Sequence, residues 1–245
     1  MGILDDVHAF CEQHRLRYFL SSGTLIGAVR HKGYIPWDDD IDIYMPRRDY
    51  EQFLQTYKDR GHYRVLNPRK ETNYYYTFAK VVDRRTRMVE DEVKGFEIGV
   101  FMDIFPVDYV PDNLQERERV FRLKHLLYKI RRCKLSHDNC LQSRLAYLCY
   151  RCLPVSVRQL ERCIERLIVS RQPTATVCNM TEAGPKMKGC FPAADIASSV
   201  DIGFEGRQYK TMVGYKDYLE RTYGDYMTLP PVGQRVTHHF EAWWL

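Results

Sequence analysis

The stretch Gly33-Tyr34-Ile35-Pro36-Trp37-Asp38-Asp39-Asp40-Ile41-Asp42-Ile43-Tyr44-Met45 decides how the rest of the chain is read. It places four carboxylates within five residues, directly before an apolar alternation. In an extended strand, side chains two apart share a face and lie about 6.5–7 Å apart. The spacing predicts a strand closing at Pro46, with Asp40 and Asp42 pointing one way and Ile41 and Ile43 pointing into a core. Like charges held this close repel, and a bound divalent cation is the simplest compensation. Oxygen-only donors suit Mg²⁺ or Mn²⁺ better than zinc. By the same alternation, Asp39 faces away from the pair and Asp38 shapes the turn after Pro36.

Upstream, Tyr18-Phe19-Leu20 reads as a short buried strand ending at Ser21-Ser22-Gly23, and Thr24 to Arg30 as a helix. Backbone N–H groups at a helix start, with a glycine allowing close approach, form a phosphate cradle. Downstream, a strand is expected from Tyr74 to Asp83. Lys80 lies inside it among apolar residues and needs either a partner or a route to water. Asp103 is embedded in the apolar run Val100 to Pro106, which makes it the candidate third ligand. Asp108 competes for that role, but near Pro111 it reads as a turn carboxylate.

Helices are expected over residues 3–15, Asp49 to Tyr57 and Tyr215 to Tyr223, a strand over Tyr63 to Leu66, and a hairpin about Glu205-Gly206. From Asn113 to Gln172 the pattern is helical, broken at Leu153-Pro154. Residues 229–239 show no regular pattern; Arg235, His238 and His239 there serve either a phosphate or the plain surface. These divisions give a catalytic core over 1–112, a basic helical subdomain over 113–172, and a segment over 173–245 that packs back on the core.

With 245 residues the chain is long enough for a full core, and 44% hydrophobic with 28% charged residues is ordinary globular composition. No run approaches the roughly 18 apolar residues of a membrane span, and no signal peptide is evident, so a cytoplasmic protein is expected. The eight cysteines are then reduced. Cys149-Tyr150-Arg151-Cys152 has metal-ligand spacing but no matching second pair, and its helical pattern with Leu145, Leu148 and Leu153 favours buried thiols over a zinc site. Residues 115–172 hold fourteen Lys or Arg against five Asp or Glu. Such a region suits anionic lipid or a polyanionic substrate; signatures of nucleic-acid binding are missing, so no nucleic-acid partner is expected.

The run Gly23 to Ile43 resembles the signature of the LicD family, as do Phe78 to Asp83, Phe101 to Pro106 and Tyr223 to Pro231. The resemblance spans almost the whole chain, with little from the helices over 115–172. It implies an α/β (α+β) nucleotidyltransferase-like mixed sheet flanked by helices, with an appended helical subdomain. It also implies transfer of a substituted phosphate, usually phosphocholine, from CDP-choline or another CDP-alcohol to a sugar hydroxyl, with release of CMP. Acceptors in bacterial members are lipopolysaccharide, teichoic acid or capsule precursors; fukutin-group relatives transfer ribitol phosphate. Carried onto this sequence, Asp40 and Asp42 bind the metal, and Asp103 binds metal or activates the acceptor. Gly23 and Thr24 hold phosphates, as do Arg30, Lys80 and His238, while Trp37 and Tyr74 to Tyr76 box a trimethylammonium group. A lipid-linked oligosaccharide acceptor places the reaction at the inner face of an anionic membrane. The competing enzymatic reading is a nucleotidyltransferase moving NMP onto a small molecule or sugar.

Overall fold

The computed structural model describes the chain except residues 73, 91–97, 137–139, 171, 182–188, 236, 238 and 239. The first half runs α1 (Gly2–His14), β1 (Phe19–Leu20), α2 (Ser22–Arg30), β2 (Asp42–Pro46), α3 (Arg47–Thr56), β3 (Tyr63–Leu66), β4 (Ala79–Asp83), β5 (Thr86–Glu90) and β6 (Phe101–Val110). The second half runs α4 (Leu114–Leu135), α5 (Arg144–Cys152), α6 (Val157–Ile168), β7 (Thr176–Asn179), β8 (Cys190–Pro192), β9 (Ser199–Phe204), β10 (Arg207–Met212), α7 (Tyr215–Tyr223) and β11 (Phe240–Trp244).

The main sheet follows the order β1-β2-β6-β4-β3, with β7 added to the far half of β6 and β8 to β7. Among the described residues β2 and β6 are the parallel pair, and the other pairs of this sheet are antiparallel. Ten-residue β6 exchanges partners along its length, pairing β4 over Phe101–Ile104 and β7 over Val107–Val110, and the sheet curls around it. This is the α/β mixed sheet flanked by helices that the sequence implies. One core joins α1, α3 and the sheet through Val7, Phe10, Leu20, Ile43, Phe53 and Ile104. Phe10 meets Phe53 and Tyr57 edge to face at 5.7 and 4.9 Å. Each such side chain, fully buried, contributes about 1.5–3 kcal/mol.

The expected helical stretch holds three helices, and the last of them ends at Ile168. It breaks at Leu153-Pro154 as expected, and again between Leu135 and Arg144, which the sequence did not suggest. Asn113 and Ser143 cap α4 and α5 by accepting backbone N–H groups, and Ser156 with Gln159 forms a capping box on α6. A second core forms where Ile164 and Ile168 of α6 meet Phe121 and Tyr128 of α4 and Val110 of β6.

Three expectations are corrected. Strand β4 starts at Ala79, because the carbonyls of Tyr74, Tyr75 and Tyr76 accept from the buried Arg131 guanidinium at 2.5, 2.7 and 3.2 Å. Asp108 is no turn carboxylate: it is 1% exposed within β6 and pairs bidentately with Arg47 at 2.7 and 2.6 Å. Cys149 and Cys152 are exposed rather than buried, since α5 turns Tyr147 inward and carries both thiols on its outer side. Neither cysteine joins a cluster with metal-ligand geometry among the described residues. The tail, moreover, supplies β11, an antiparallel partner for β5.

Candidate active site

The acidic loop is shaped by what precedes it. A Cβ on Gly27 would lie 2.5 Å from the Gly33 carbonyl oxygen, so only glycine lets the chain fold back against α2. The β9–β10 turn then pins the loop: the Glu205 carboxylate accepts from the Tyr34 N–H at 3.0 Å, and the Glu205 N–H donates to the Lys32 carbonyl at 2.9 Å. The Asp38 N–H closes a turn onto the Ile35 carbonyl at 2.9 Å.

Strand β2 consequently begins at Asp42, not before Asp40. Side-chain alternation holds only on extended backbone, so the loop obeys a different geometry. Asp38, Asp39 and Asp40 each offer a carboxylate oxygen within 4.8 Å of the others. Asp39 therefore turns toward its neighbours, and Asp38 is a site candidate as well as a turn residue. The Pro36 turn directly before the acidic run was the signal for this convergence.

Thr24 ties the helix start to the strand start. Its Oγ1 accepts from the Asp42 N–H at 2.9 Å, while the Ser21 N–H donates to the Asp42 carbonyl at 3.0 Å. A Cβ on Gly23 would lie 2.2 Å from Asp38 Oδ2, so that carboxylate packs directly over the glycine. Ser22, at φ 50, occupies the left-handed region, a conformation costing of order 1–3 kcal/mol and concentrated at functional sites. The buried Ser21 hydroxyl has no hydrogen-bond partner among the described residues. An orphaned polar group beside a strained helix start suits a ligand supplying the missing contact.

Register sets the remaining members. Asp42 stands beside Asp103 across the parallel β2–β6 pair, and Lys80 stands opposite Asp103 across β4–β6. Lys80 Nζ donates to Asp103 Oδ1 at 2.7 Å and lies 3.2 Å from the Phe101 ring centroid and 4.0 Å from that of Tyr76. The lysine, 1% exposed, has found its partner in the acidic centre. Burial, reinforced by the charges of Asp40, Asp103 and Asp38, holds the Asp42 carboxyl well above the usual carboxylate range; Lys80 opposes them. Among the described residues, the carboxylates that share a common ligand distance are Asp38, Asp39 and Asp40, and Asp42 and Asp103 are not in that group. The three form a hard oxygen set of the kind Mg²⁺ or Mn²⁺ takes.

Arg30 donates to the Tyr226 and Thr228 carbonyls at 2.6 and 3.4 Å, which binds α2 to the segment after α7. Arg235 stacks on Trp37 at 4.5 Å and lies close enough to Arg30 to push its guanidinium pKa down, after burial. Trp37 thus belongs with this arginine pair, whereas Tyr74, Tyr75 and Tyr76 cluster at 5.6–5.7 Å on the Lys80 side. His238 lies outside the described residues.

A curled α/β sheet that gathers carboxylates from one loop and two adjacent interior strands beside a glycine-containing helix start defines a class of protein with an acidic centre at the start of the parallel β2–β6 pair. Residues 15–135 match the family described as LicD/FKTN/FKRP, nucleotidyltransferase domain. The lipopolysaccharide cholinephosphotransferase LicD of Haemophilus influenzae is 33% identical over 254 residues, covering 98% of this chain and 93% of the relative. Uncharacterized proteins of Rickettsia typhi and Rickettsia prowazekii are 41% and 38% identical over 66 and 63 residues, about a quarter of this chain. The chain belongs to the LicD family and is, with it, a transferase.

Proposed function

We propose that the protein transfers phosphocholine from CDP-choline to a sugar hydroxyl of a glycan or glycolipid precursor, releasing CMP, with Mg²⁺ or Mn²⁺ as cofactor. The observation that carries this reading is the convergence of Asp38, Asp39 and Asp40, with Asp42 and Asp103 in register on the parallel strands that follow. It agrees with the activity in the name of the H. influenzae relative, a lipopolysaccharide cholinephosphotransferase. In this reading Asp40, Asp42 and Asp103 hold the cation, with Asp38 over Gly23 at its edge. Bound there, the cation neutralises pyrophosphate charge and stabilises the departing oxygen. Lys80 anchors Asp103, the start of α2 with Gly23, Thr24 and the Ser21 hydroxyl receives a phosphate, and Arg30 with Arg235 adds positive charge. The acceptor oxygen bonds to the choline-bearing phosphorus as the bond to the CMP phosphate breaks, and the hydroxyl proton passes to a carboxylate of the cluster. A screen of CDP-choline, CDP-ethanolamine, CDP-ribitol and CDP-glycerol should give the fastest CMP release with CDP-choline. Pyrophosphate release from CTP without turnover of any CDP-alcohol would instead establish NMP transfer.

We further propose that the helical region rests on an anionic membrane surface, where a lipid-linked acceptor is presented. On α5, Leu145, Leu148, Cys149 and Cys152 recur at helical spacing and are exposed, Leu145 by 72%. Arg144 and Arg151 lie on the same nine-residue helix. An apolar face flanked by cations suits the headgroup boundary; no helix among the described residues is long and apolar enough to cross a membrane. The protein should sediment with phosphatidylglycerol vesicles at low salt and much less with phosphatidylcholine. The double substitution Leu145→Glu and Leu148→Glu should reduce partitioning by about tenfold or more; unchanged sedimentation would refute the contact.

A further inference from the structure

A second concavity, of about 790 Å³, adjoins the acidic centre and is lined in part by Tyr75 and Tyr76, which the family resemblance offered as part of a trimethylammonium box. One wall is a stripe of α4, where His125, Tyr128, Lys129 and Arg132 recur at i, i+3, i+4 and i+7. The facing wall is Tyr75 to Phe78, held in its irregular course by the Arg131 bonds and by the Thr77 hydroxyl, which donates to the Thr181 carbonyl at 2.5 Å. From α5, Tyr150 closes the end.

Two residues belong to both sites. The rings of Tyr76 and Phe78 line the cavity and also lie 4.0 and 5.4 Å from Lys80 Nζ, the group that holds Asp103. The cavity wall is therefore linked to the Asp103 carboxylate through one of these rings and Lys80.

The lining chemistry selects the occupant. Among the described residues no acidic side chain lines the cavity, and Lys129 and Arg132 are exposed and make no ion pair there. A quaternary ammonium gains nothing in such a place, because like charges repel it. Tyrosine faces and edges offer flat surface to the apolar side of a sugar ring and hydroxyls to its polar rim. Ammonium and guanidinium groups at the mouth favour phosphate, bidentately in the case of Arg132. The volume lies within the range of small-molecule sites, large enough for more than one sugar ring.

We propose that this cavity is the acceptor subsite, and that it takes a sugar carrying an anionic substituent, phosphate first, close to the hydroxyl that is modified. The proposal rests on the reading of the acidic centre as the place of phosphocholine transfer. It divides the molecule by charge: the acidic centre and the Arg30–Arg235 side receive the donor, and the cavity between α4, α5 and the tyrosine run receives the acceptor.

The test is titration calorimetry of the metal-free protein with a deacylated, phosphorylated lipopolysaccharide core oligosaccharide, before and after phosphatase treatment, combined with steady-state kinetics. Dephosphorylation should weaken binding about tenfold or more, the size expected for losing a charge-assisted contact. The double substitution Lys129→Glu and Arg132→Glu should remove that difference, raise the KM for the phosphorylated acceptor about tenfold or more, and leave the KM for CDP-choline within about twofold. Both side chains are exposed, so thermal melting should not move. Binding indifferent to phosphatase would overturn the proposal, and so would a variant whose KM rises for CDP-choline instead, which would make the cavity the donor seat. Because the calorimetry involves no turnover, absence of CMP release from any CDP-alcohol would refute the donor reading while leaving the oligosaccharide result to stand or fall alone.

Discussion

Asp42→Asn is expected to lower CMP release from CDP-choline by on the order of 10³-fold while raising the melting temperature of the metal-free protein. Both effects share one cause. Asp42 is crowded by Asp40, Asp103 and Asp38 in a buried setting, and its carboxyl is held well above the usual range. The native state then binds that proton more tightly than the unfolded chain does. Stability therefore falls as pH rises from the ordinary carboxylate range through the folded value, and above it the charge is a standing cost. The neutral amide removes that cost, at about 2–4 °C per kcal/mol for a chain of this size. The gain should vanish below about pH 4, where the native carboxyl is protonated in both states. Added Mg²⁺ should reverse the order, raising the melting temperature of the unsubstituted protein and leaving the variant nearly unmoved. Thermal melts at two pH values, with and without Mg²⁺, check each part; a variant that melts lower throughout would remove the repulsion argument.

Asp108→Asn should do the opposite. Asp108 lies five residues after Asp103 on β6, and its partner Arg47 also bonds Glu51 at 3.1 Å. Arg69 extends this network from Glu51 to Glu165 on α6, so the pair helps fasten the helical layer to the sheet. Removing one member of a buried, hydrogen-bonded ion pair costs about 3–5 kcal/mol, because the other charge is left uncompensated. The expected loss is on the order of 10 °C in melting temperature. Turnover per folded molecule, measured well below the transition, should stay within about twofold of the parent. A variant that melts normally but turns over slowly would instead place Asp108 in the chemistry.

The contrast between Asp103 and Asp108 shows what the sequence carried. Asp103 sits in the apolar run Val100 to Pro106, whose strand character was readable, while Asp108 lies beyond that run on the same strand β6. Odd spacing on a strand puts them on opposite faces, but the nearness of Pro111 suggested a turn, and nothing local identified Arg47 as a partner 61 residues away. The pairing of Asp42 with Asp103 followed from reading each as a strand carboxylate; that the strands are neighbours and parallel is a property of topology, set by the curl around β6. Lys80 was legible as a buried cation in need of a partner, and only the register supplied Asp103. Alternation failed at Asp38 to Asp40 because the rule presumes extended backbone, whereas the chain turns after Pro36. The outward set of α5 escaped for a related reason. Leu145, Leu148, Cys149 and Cys152 form an apolar stripe like any core-facing one, and only the inward turn of Tyr147 showed which side meets solvent.

The central claim, a carboxylate-held cation serving transfer from a CDP-alcohol, is tested most directly by one assay. CMP release from CDP-choline is followed in the parent protein with Mg²⁺, after chelation, and after Mg²⁺ is restored, beside Asp42→Asn under the same conditions. Release that requires the divalent ion, returns with it, and is lost in the variant is the predicted result. Release that survives chelation, or that persists in the variant at the parental rate, would contradict it.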